Sequence, residues 1–154
     1  MNKFMNEAIR LADEKMRQGF GGPFGAVIVK NGTIIAHGFN MVTSTNDPTA
    51  HAEIVAIRNA CSTINDFSLT GCSIYVNCEP CPMCLAAMYW AGIEKIYYAA
   101  TRKDAAAIGF ADEFIYEEFK KEASQRAIPI KQLMRSEAMK VFKSWEAYED
   151  KIPY

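Results

Sequence analysis

The spacing of apolar residues changes along the chain from a helical period to a strand period and back again. Residues 4–16 place apolar side chains on one helical face, and the glycine-rich sequence QGFGG ends that helix. GAVIVK and TIIAHGF, separated by Asn31 and Gly32, predict a hairpin of two strands joined by a tight turn. The first strand is almost wholly apolar, which is typical of a strand covered on both faces.

Beyond the hairpin and a polar loop over residues 40–49, helical and strand patterns alternate to the end of the chain. The predicted elements are, in order, a helix over 50–64, a strand over 72–77, a helix over 82–91, a strand over 95–100, a helix over 112–124, a strand over 128–134 and a helix over 136–150. This order predicts an α/β fold with a mixed five-stranded sheet and helices on both of its faces. No repeat, linker or low-complexity segment divides residues 1–154, so we expect a single domain.

Composition and charge indicate which partners the protein binds and in which cellular compartment it is found. Half of the 154 residues are hydrophobic, which is enough for a core without disulfide bonds. Because 17 basic residues stand against 18 acidic ones, no overall positive charge attracts a phosphate backbone, and nucleic acid is a disfavoured partner. The N-terminus lacks the apolar core of a secretory signal, and no segment has the apolar length of a membrane span. We therefore expect a cytoplasmic protein that has no membrane partner.

The cysteines predict a metal site. In a reducing compartment, close cysteines more often bind a metal or take part in catalysis than form disulfide bonds. Proline is favoured at the first helical position, so Pro82 places Cys81 at the helix N-cap and Cys84 in the first turn. His51 lies at the start of the helix predicted over 50–64, and one imidazole with two thiolates would bind one zinc ion per subunit, leaving a fourth position for water. Cys78 ends the preceding strand and is interpreted as a packed thiol that binds no metal.

A carboxylate accompanies the predicted ligands. Glu53 follows His51 by two residues, and 27 residues separate it from Cys81. Beside the open metal position, a carboxylate can take a proton from an attacking water and deliver it to a leaving nitrogen. C-x-x-C alone would also fit a redox motif or structural zinc. Together with His51, Glu53 and Pro80, however, it matches the known signature of zinc-dependent nucleobase deaminases, H-x-E followed by P-C-x-x-C.

At these residues the chain resembles the cytidine deaminase superfamily and, within it, the small bacterial-type guanine deaminases. The likeness spans nearly the whole chain and includes GGPFGAVIV, NDPTAHAE, CEPCPMCLAAMYWA, DAAAIGFADEFIY and the terminal tyrosine. The resemblance implies a three-layer α/β/α fold and the hydrolysis of guanine to xanthine and ammonia, in which a zinc-activated water attacks C2 of the purine. It also implies that Glu53 protonates ring nitrogen N3 and then assists the loss of the amino group.

The resemblance further implies a second acidic residue at the substrate. Asp112, in GFADEF, matches a residue that contacts the base and shares in proton transfer. The family tends to have another acid just before it, but Ala111 stands there in this chain, which leaves the role to Asp112 alone. From the residues without the resemblance, the N-cap of the next helix is the favoured interpretation of Asp112.

Four more residues are candidates to hold the base. Asn40 offers an amide that can donate to and accept from a purine edge, although an ordinary turn residue fits equally well from sequence alone. Phe24 and Trp90 are candidates to stack on the flat ring, and the alternative for both is a place in the core. The backbone N–H of Ala52 would donate to a substrate oxygen near the metal.

The C-terminus is predicted to take part in the site. Tyr154 would ordinarily be expected to fray. In guanine deaminases of the resembled type, however, two subunits exchange their C-terminal segments, and the last residue covers the partner's active site. The amphipathic helix over 136–150 is compatible with this exchange. The resemblance therefore implies a homodimer that swaps residues 135–154, with Tyr154 as a lid.

Two other functions stay open on the sequence. A tRNA adenosine or cytosine deaminase has the same zinc centre, but it should carry clustered Lys and Arg, whereas the tail EAYEDKIPY is acidic on balance. A zinc-stabilised interaction module without catalysis would need a fourth protein ligand, for which Cys78 is the nearby candidate, and it would leave Glu53 without a task. A thiol oxidoreductase does not account for His51 and Glu53.

Overall fold

The computed structural model describes residues 2–153 and contains two compact units, of which the first ends at Glu113 and the second begins at Phe114. The strands are β1 (Gly25–Lys30), β2 (Thr33–Phe39), β3 (Cys72–Cys78) and β4 (Lys95–Ala100). The helices are α1 (Lys3–Arg17), α2 (Val42–Thr45), α3 (Ala52–Ile64), α4 (Pro82–Trp90), α5 (Arg102–Ala107), α6 (Glu113–Lys120) and α7 (Arg135–Ala147), with a 3-10 helix at Ala123–Gln125. None of the described helices combines the length and apolar content that a membrane span requires.

The predicted hairpin is confirmed residue by residue. Asn31 and Gly32 have φ angles of 50° and 76°, the pair of left-handed conformations that a two-residue hairpin turn requires. Antiparallel pairing follows directly, since Lys30 lies opposite Thr33. The turn residues therefore fix the register of both strands.

The sheet is mixed, with strand order β2-β1-β3-β4. β1 lies antiparallel to both β2 and β3, whereas β4 runs parallel to β3 after the crossover through α4. As a result β2, β3 and β4 end at the same edge of the sheet, and β1 begins there. The residues that follow these strands are the ones that a sheet of this kind offers to a ligand.

Helices cover both faces of the sheet in the first unit. Ala26 and Ile28 of β1 pack into the larger core cluster with buried residues of α3 and α4. Val27 and Val29 point to the other face, where Phe4 of α1 packs against their cluster. Because successive strand residues face opposite sides, burial on both faces explains the continuous apolar run of β1. The three-layer α/β/α arrangement is confirmed.

Gly38 lets α3 approach β2 closely. A Cβ atom at Gly38 would lie 2.1 Å from the carbonyl oxygen of Ala52 and 2.4 Å from the nitrogen of Ala56. Only a glycine leaves room for the first turn of α3 at this position. The close approach brings the start of α3 over the sheet edge at which β2 ends.

The prediction of a fifth strand is wrong for the described chain, whose sheet has four strands. Residues 128–134 form neither strand nor helix, and they pair with no other segment. A strand is stable only within a ladder of backbone hydrogen bonds, and Pro129 offers no N–H to one. The apolar residues of this segment are exposed, as Ile128, Ile130 and Leu133 show.

Candidate active site

Metal-ligating side chains stand at the start of two helices. His51 is the N-cap of α3 and Cys81 is the N-cap of α4, with Pro82 in the first turn as the sequence predicted. Cys84 follows in the first turn of α4, where it is buried. Neither cap side chain bonds to the backbone of its own helix, so both are available to a metal.

The structure brings these three residues together at distances that suit zinc. Nδ1 of His51 lies 3.6 Å from Sγ of Cys81 and 3.5 Å from Sγ of Cys84, and all three ligand atoms lie within 4.8 Å of one another. With Zn–N and Zn–S bonds of about 2.0 and 2.3 Å, a tetrahedral ion holds its nitrogen and sulfur ligands about 3.6 Å apart. The donor set and its spacing therefore fit zinc, with Nδ1 as the imidazole ligand.

The two cysteines differ in acidity. A hydrogen bond from the Cys84 thiol, together with the neighbouring His51 imidazole, lowers the pKa of Cys81 to about 4. The pKa of Cys84 is raised, because its thiol is held in that hydrogen bond to Cys81 and is buried. One sulfur is thus a thiolate at neutral pH, and a bound cation would take the place of the proton on the other.

Glu53 lies beside this centre and is buried. Its exposure is 8%, and none of the salt bridges found among the described residues involves it. Burial raises the pKa of its carboxyl, and the Cys81 thiolate adds to that effect. The charge of His51 and hydrogen bonding with Cys84 offset part of that rise in the pKa. A buried carboxyl next to a metal ligand is typical of a catalytic site rather than a structural one.

The chain resembles known deaminases across this site and across the whole fold. Residues 1–100 match the model described as the cytidine and deoxycytidylate deaminase zinc-binding region. The chain belongs to this deaminase family. The guanine deaminase of Bacillus subtilis (strain 168) is 50% identical over 151 residues, which cover 98% of this chain and 97% of that protein. The resemblance that the motifs indicated is confirmed.

A solved structure and a second relative extend the comparison. The X-ray structure of guanine deaminase from Bacillus subtilis matches with a TM-score of 0.96 at 50% identity, covering 100% of this chain and 99% of that one. A tRNA-specific adenosine deaminase of Aquifex aeolicus (strain VF5) is 44% identical over 100 residues, 65% of this chain and 66% of that protein. The predicted fold is therefore confirmed for this member of the deaminase family, apart from the strand count.

Cys78 lies outside the metal group of this deaminase. Its Sγ is 3.7 Å from the carbonyl oxygen of Thr101, and it does not belong to the cluster of ligand atoms. Burial, reinforced by the charge of Glu53, raises the pKa of Cys78 to about 11. A protonated, packed thiol of this kind is a poor ligand.

Asn40 offers a ligand only the N–H donor of its amide, whereas the sequence analysis expected both the donor and the acceptor to be available. It is 7% exposed and follows β2 at the edge of the sheet. Its Oδ1 accepts hydrogen bonds from the N–H groups of Gly22 and Val42, both at 3.2 Å. These bonds fix the orientation of the amide, and among the described residues its Nδ2 group has no acceptor. Only an N–H donor is left for a ligand.

Three other candidates lie among the described residues. Ala52 begins α3, so its N–H has no acceptor within the helix. Phe24 is half-buried, and its ring meets Phe110 edge-on with centroids 4.9 Å apart. Asp112 is half-buried, and both burial and the Cys81 thiolate raise the pKa of its carboxyl.

Of the two remaining aromatic candidates, Trp90 is described by the structure and is not brought to the metal ligands. Trp90 ends α4, whereas Cys81 and Cys84 stand at the start of that helix, and its side chain is 78% exposed. A contact between Trp90 and a bound base therefore stays a prediction. Tyr154 lies outside the described residues, so its role as a lid also stays a prediction.

The sequence analysis missed three residues around the site. Glu79 connects the metal-binding turn, which is the segment over 79–81 between β3 and α4, to the end of β4 and the start of α5, because its N–H donates to the oxygen of Ala100 and its carboxylate accepts from the N–H of Arg102. Phe110 supplies the ring that meets Phe24, and Asn77 bonds to the backbone beside Phe24. For Asn77 and Glu79, the signal in the sequence was a pair of polar residues at the end of a buried strand, shortly before C-x-x-C.

Proposed function

We propose that the protein hydrolyses guanine to xanthine and ammonia at a zinc centre held by His51, Cys81 and Cys84. The observation that carries the proposal is the convergence of one imidazole, two thiols and the buried carboxyl of Glu53 at the starts of two helices. Similarity to guanine deaminase over nearly the whole chain, at 50% identity, favours guanine as the substrate.

Three protein ligands suit a catalytic role for the metal. When bound, zinc supplies a Lewis acid with one coordination position left for water or substrate and lowers the pKa of water bound there. Glu53 would accept a proton from the attacking water and deliver it to N3 of guanine. The same carboxyl would then assist departure of the C2 amino group, which leaves as ammonia while the ring becomes xanthine. Asp112 would assist this proton transfer.

The purine would be held by groups around the sheet edge. The Nδ2 group of Asn40 would donate to an acceptor atom on the base, since its Oδ1 is already bonded twice. The N–H of Ala52 would donate to a substrate oxygen, and the ring of Phe24 would pack on the purine. A donor at Asn40 favours a base with a carbonyl oxygen over one with an amino group at the same position.

The site would be completed in a homodimer through exchange of residues 135–154. No residue of α7 is buried, although α7 carries Phe142 and Trp145 and is followed directly by Tyr148, all of which are exposed. Apolar side chains grouped in this way mark an interaction surface. We take a second copy of this chain as the partner, with Tyr154 and Trp90 contributing to the pocket only in that assembly. A cytoplasmic location is consistent with this proposal.

A second candidate is a tRNA adenosine deaminase on the same zinc centre. It is favoured by the 44% identity to the tRNA-specific adenosine deaminase over 100 residues. That match covers 65% of the chain, however, against 98% for guanine deaminase. The shorter match makes the tRNA enzyme the weaker candidate.

The two functions are separated by their products. The zinc-loaded protein should be incubated with guanine, guanosine, adenine, 2,6-diaminopurine and cytosine, and in parallel with a tRNA anticodon stem-loop. Ammonia and xanthine from guanine, with no change in the RNA, are the expected results. Inosine in the RNA and an absence of xanthine would show that the substrate assignment is wrong.

A further inference from the structure

Asn77 joins the loop that carries Phe24 to the strand that leads into the metal-binding turn. Its Oδ1 accepts a hydrogen bond from the N–H of Gly25 at 2.9 Å, and its Nδ2 donates to the carbonyl oxygen of Pro23 at 2.8 Å. Both polar atoms of the amide are thus bonded to the backbone, one on each side of Phe24. We propose that Asn77 is a positioning residue that sets the place of the Phe24 ring for purine binding. This inference rests on the proposed function.

The loop that Asn77 holds has other anchors, since the N–H of Gly22 donates to Oδ1 of Asn40 and the oxygen of Phe20 accepts from the N–H of Ser44, but neither bond comes from β3. Residues 20–24 belong to no helix or strand, and the segment includes Gly21 and Gly22. At Phe24 itself, the N–H donates to the oxygen of Gly22 at 2.8 Å, and the oxygen accepts from the N–H of Asn40 at 3.0 Å. A glycine-rich segment loses much conformational entropy when it is ordered, so bonds from a rigid element determine where it lies.

β3 is such a rigid element. It is paired with β1 on one side and with β4 on the other, and Asn77 lies four residues before Cys81. The amide therefore relates the position of the Phe24 ring to the strand from which the metal ligands follow. Support of this kind matters because a small displacement of a group that contacts the substrate is costly for binding and orientation.

The functional test compares two variants of Asn77. Asn77→Asp keeps the shape and the acceptor for Gly25 but places a carboxylate oxygen against the oxygen of Pro23, whereas Asn77→Ala removes both bonds. We expect the KM for guanine to rise about tenfold in both variants, with kcat changed by less than about threefold and zinc content unchanged. A residue that only fills space would leave Asn77→Asp like the wild type.

Asn59→Ala is the matched control. The amide of Asn59 also bonds to the backbone, donating to the oxygen of His37 at 2.9 Å, but it does not touch the loop at Phe24. We expect the KM of this variant to equal that of the wild type. An unchanged KM in both Asn77 variants, or the same rise in Asn59→Ala, would overturn the inference.

Amide hydrogen exchange tests the two hydrogen bonds from Asn77 to the backbone beside Phe24, here called the tether, independently of the substrate. The N–H of Gly25 should exchange with solvent at least about tenfold faster in Asn77→Ala than in the wild type, as measured by NMR, because its acceptor is removed. If the wild type does not deaminate guanine, the proposed function is wrong, and faster exchange still supports the tether. Unchanged exchange of Gly25 would contradict the tether whatever the substrate.

Discussion

At the scale of single residues, the surroundings of each cysteine decide which of them bind the metal. Cys81 and Cys84 stand at the start of α4 and both face Nδ1 of His51. Cys78 lies three positions from Cys81, as Cys84 does, but its thiol points to the carbonyl oxygen of Thr101. Burial raises the pKa of Cys78 to about 11. A site with three protein ligands, and thus an open position, follows from this difference.

Single alanine substitutions of these cysteines test the ligand set. Cys78→Ala should retain one zinc ion per chain, because this thiol is not a ligand. Cys81→Ala and Cys84→Ala should each lose zinc during dialysis against a chelator, since only two protein ligands would remain. Zinc per chain, measured by mass spectrometry of the metal, checks this result. Equal loss in all three variants would point instead to a closed site with four protein ligands.

The sequence predicted the metal ligands, but it did not predict the hydrogen bonds of the residues around them. His51, Cys81 and Cys84 were found because metal ligation demands particular residue types at particular spacings. Asn40 was found, but its donor-only orientation was not, since this depends on the N–H groups of Gly22 and Val42 in a folded loop. Asn77 was missed because a long-range contact to Pro23 and Gly25 leaves no periodic signal.

At the scale of elements, the approach of α3 to β2 places the metal ligand His51. Gly38 allows this approach, because a side chain there would collide with the backbone of Ala52 and Ala56. Backbone atoms move less readily than the end of a flexible side chain, so the collision cannot be relieved locally. The position of α3, and therefore of the metal ligand His51, depends on Gly38 in β2.

Gly38→Ala tests the dependence on helix placement. We expect the free energy of unfolding to fall by about 1–3 kcal/mol, as for other overpacked sites, and zinc affinity to fall with it. Thr33→Ala, at the exposed start of the same strand, is the control and should change the free energy of unfolding by less than about 0.5 kcal/mol. Denaturant unfolding and zinc titration measure the two effects. Wild-type stability in Gly38→Ala would contradict the tight packing of α3 on β2.

The elements that were predicted well are those with strong local signals. Asn31 and Gly32 defined both strands of the hairpin, and apolar periodicity defined α1 and α3. The short helices α2 and α5 were missed, because four and six residues are too few for a helical period to stand out. The strand predicted over 128–134 was wrong, since strand propensity does not supply a pairing partner.

At the scale of the whole molecule, the proposed homodimer would account for the exposed apolar side chains on and directly after α7. Phe142 and Trp145 of α7 and the adjoining Tyr148 are all exposed, and α7 has no buried residue. In a single chain these side chains contribute little to the core. Their burial would be a favourable contribution to dimer formation, which the sequence suggested only through the family resemblance.

Substitution of Trp145 by glutamate tests the dimer. Because Trp145 is exposed in the single chain, Trp145→Glu should leave the fold intact while weakening the association of two copies. We expect the wild type to behave as a dimer and Trp145→Glu as a monomer in light scattering coupled to gel filtration, with lower guanine turnover. Lys143→Glu, which changes the charge of the same helix by two units but removes no apolar ring, should remain dimeric. A monomeric wild type would contradict the exchange of residues 135–154.

The proposed mechanism requires Glu53 to transfer protons beside a zinc ion bound by three protein ligands. The most direct measurement is the rate of xanthine formation by Glu53→Gln, with zinc per chain determined on the same sample. Because glutamine has nearly the same shape but does not exchange protons, kcat should fall by about 10²–10⁴-fold while zinc is retained. Turnover within a few-fold of the wild type, with zinc bound, would show that the mechanism proposed for Glu53 is wrong.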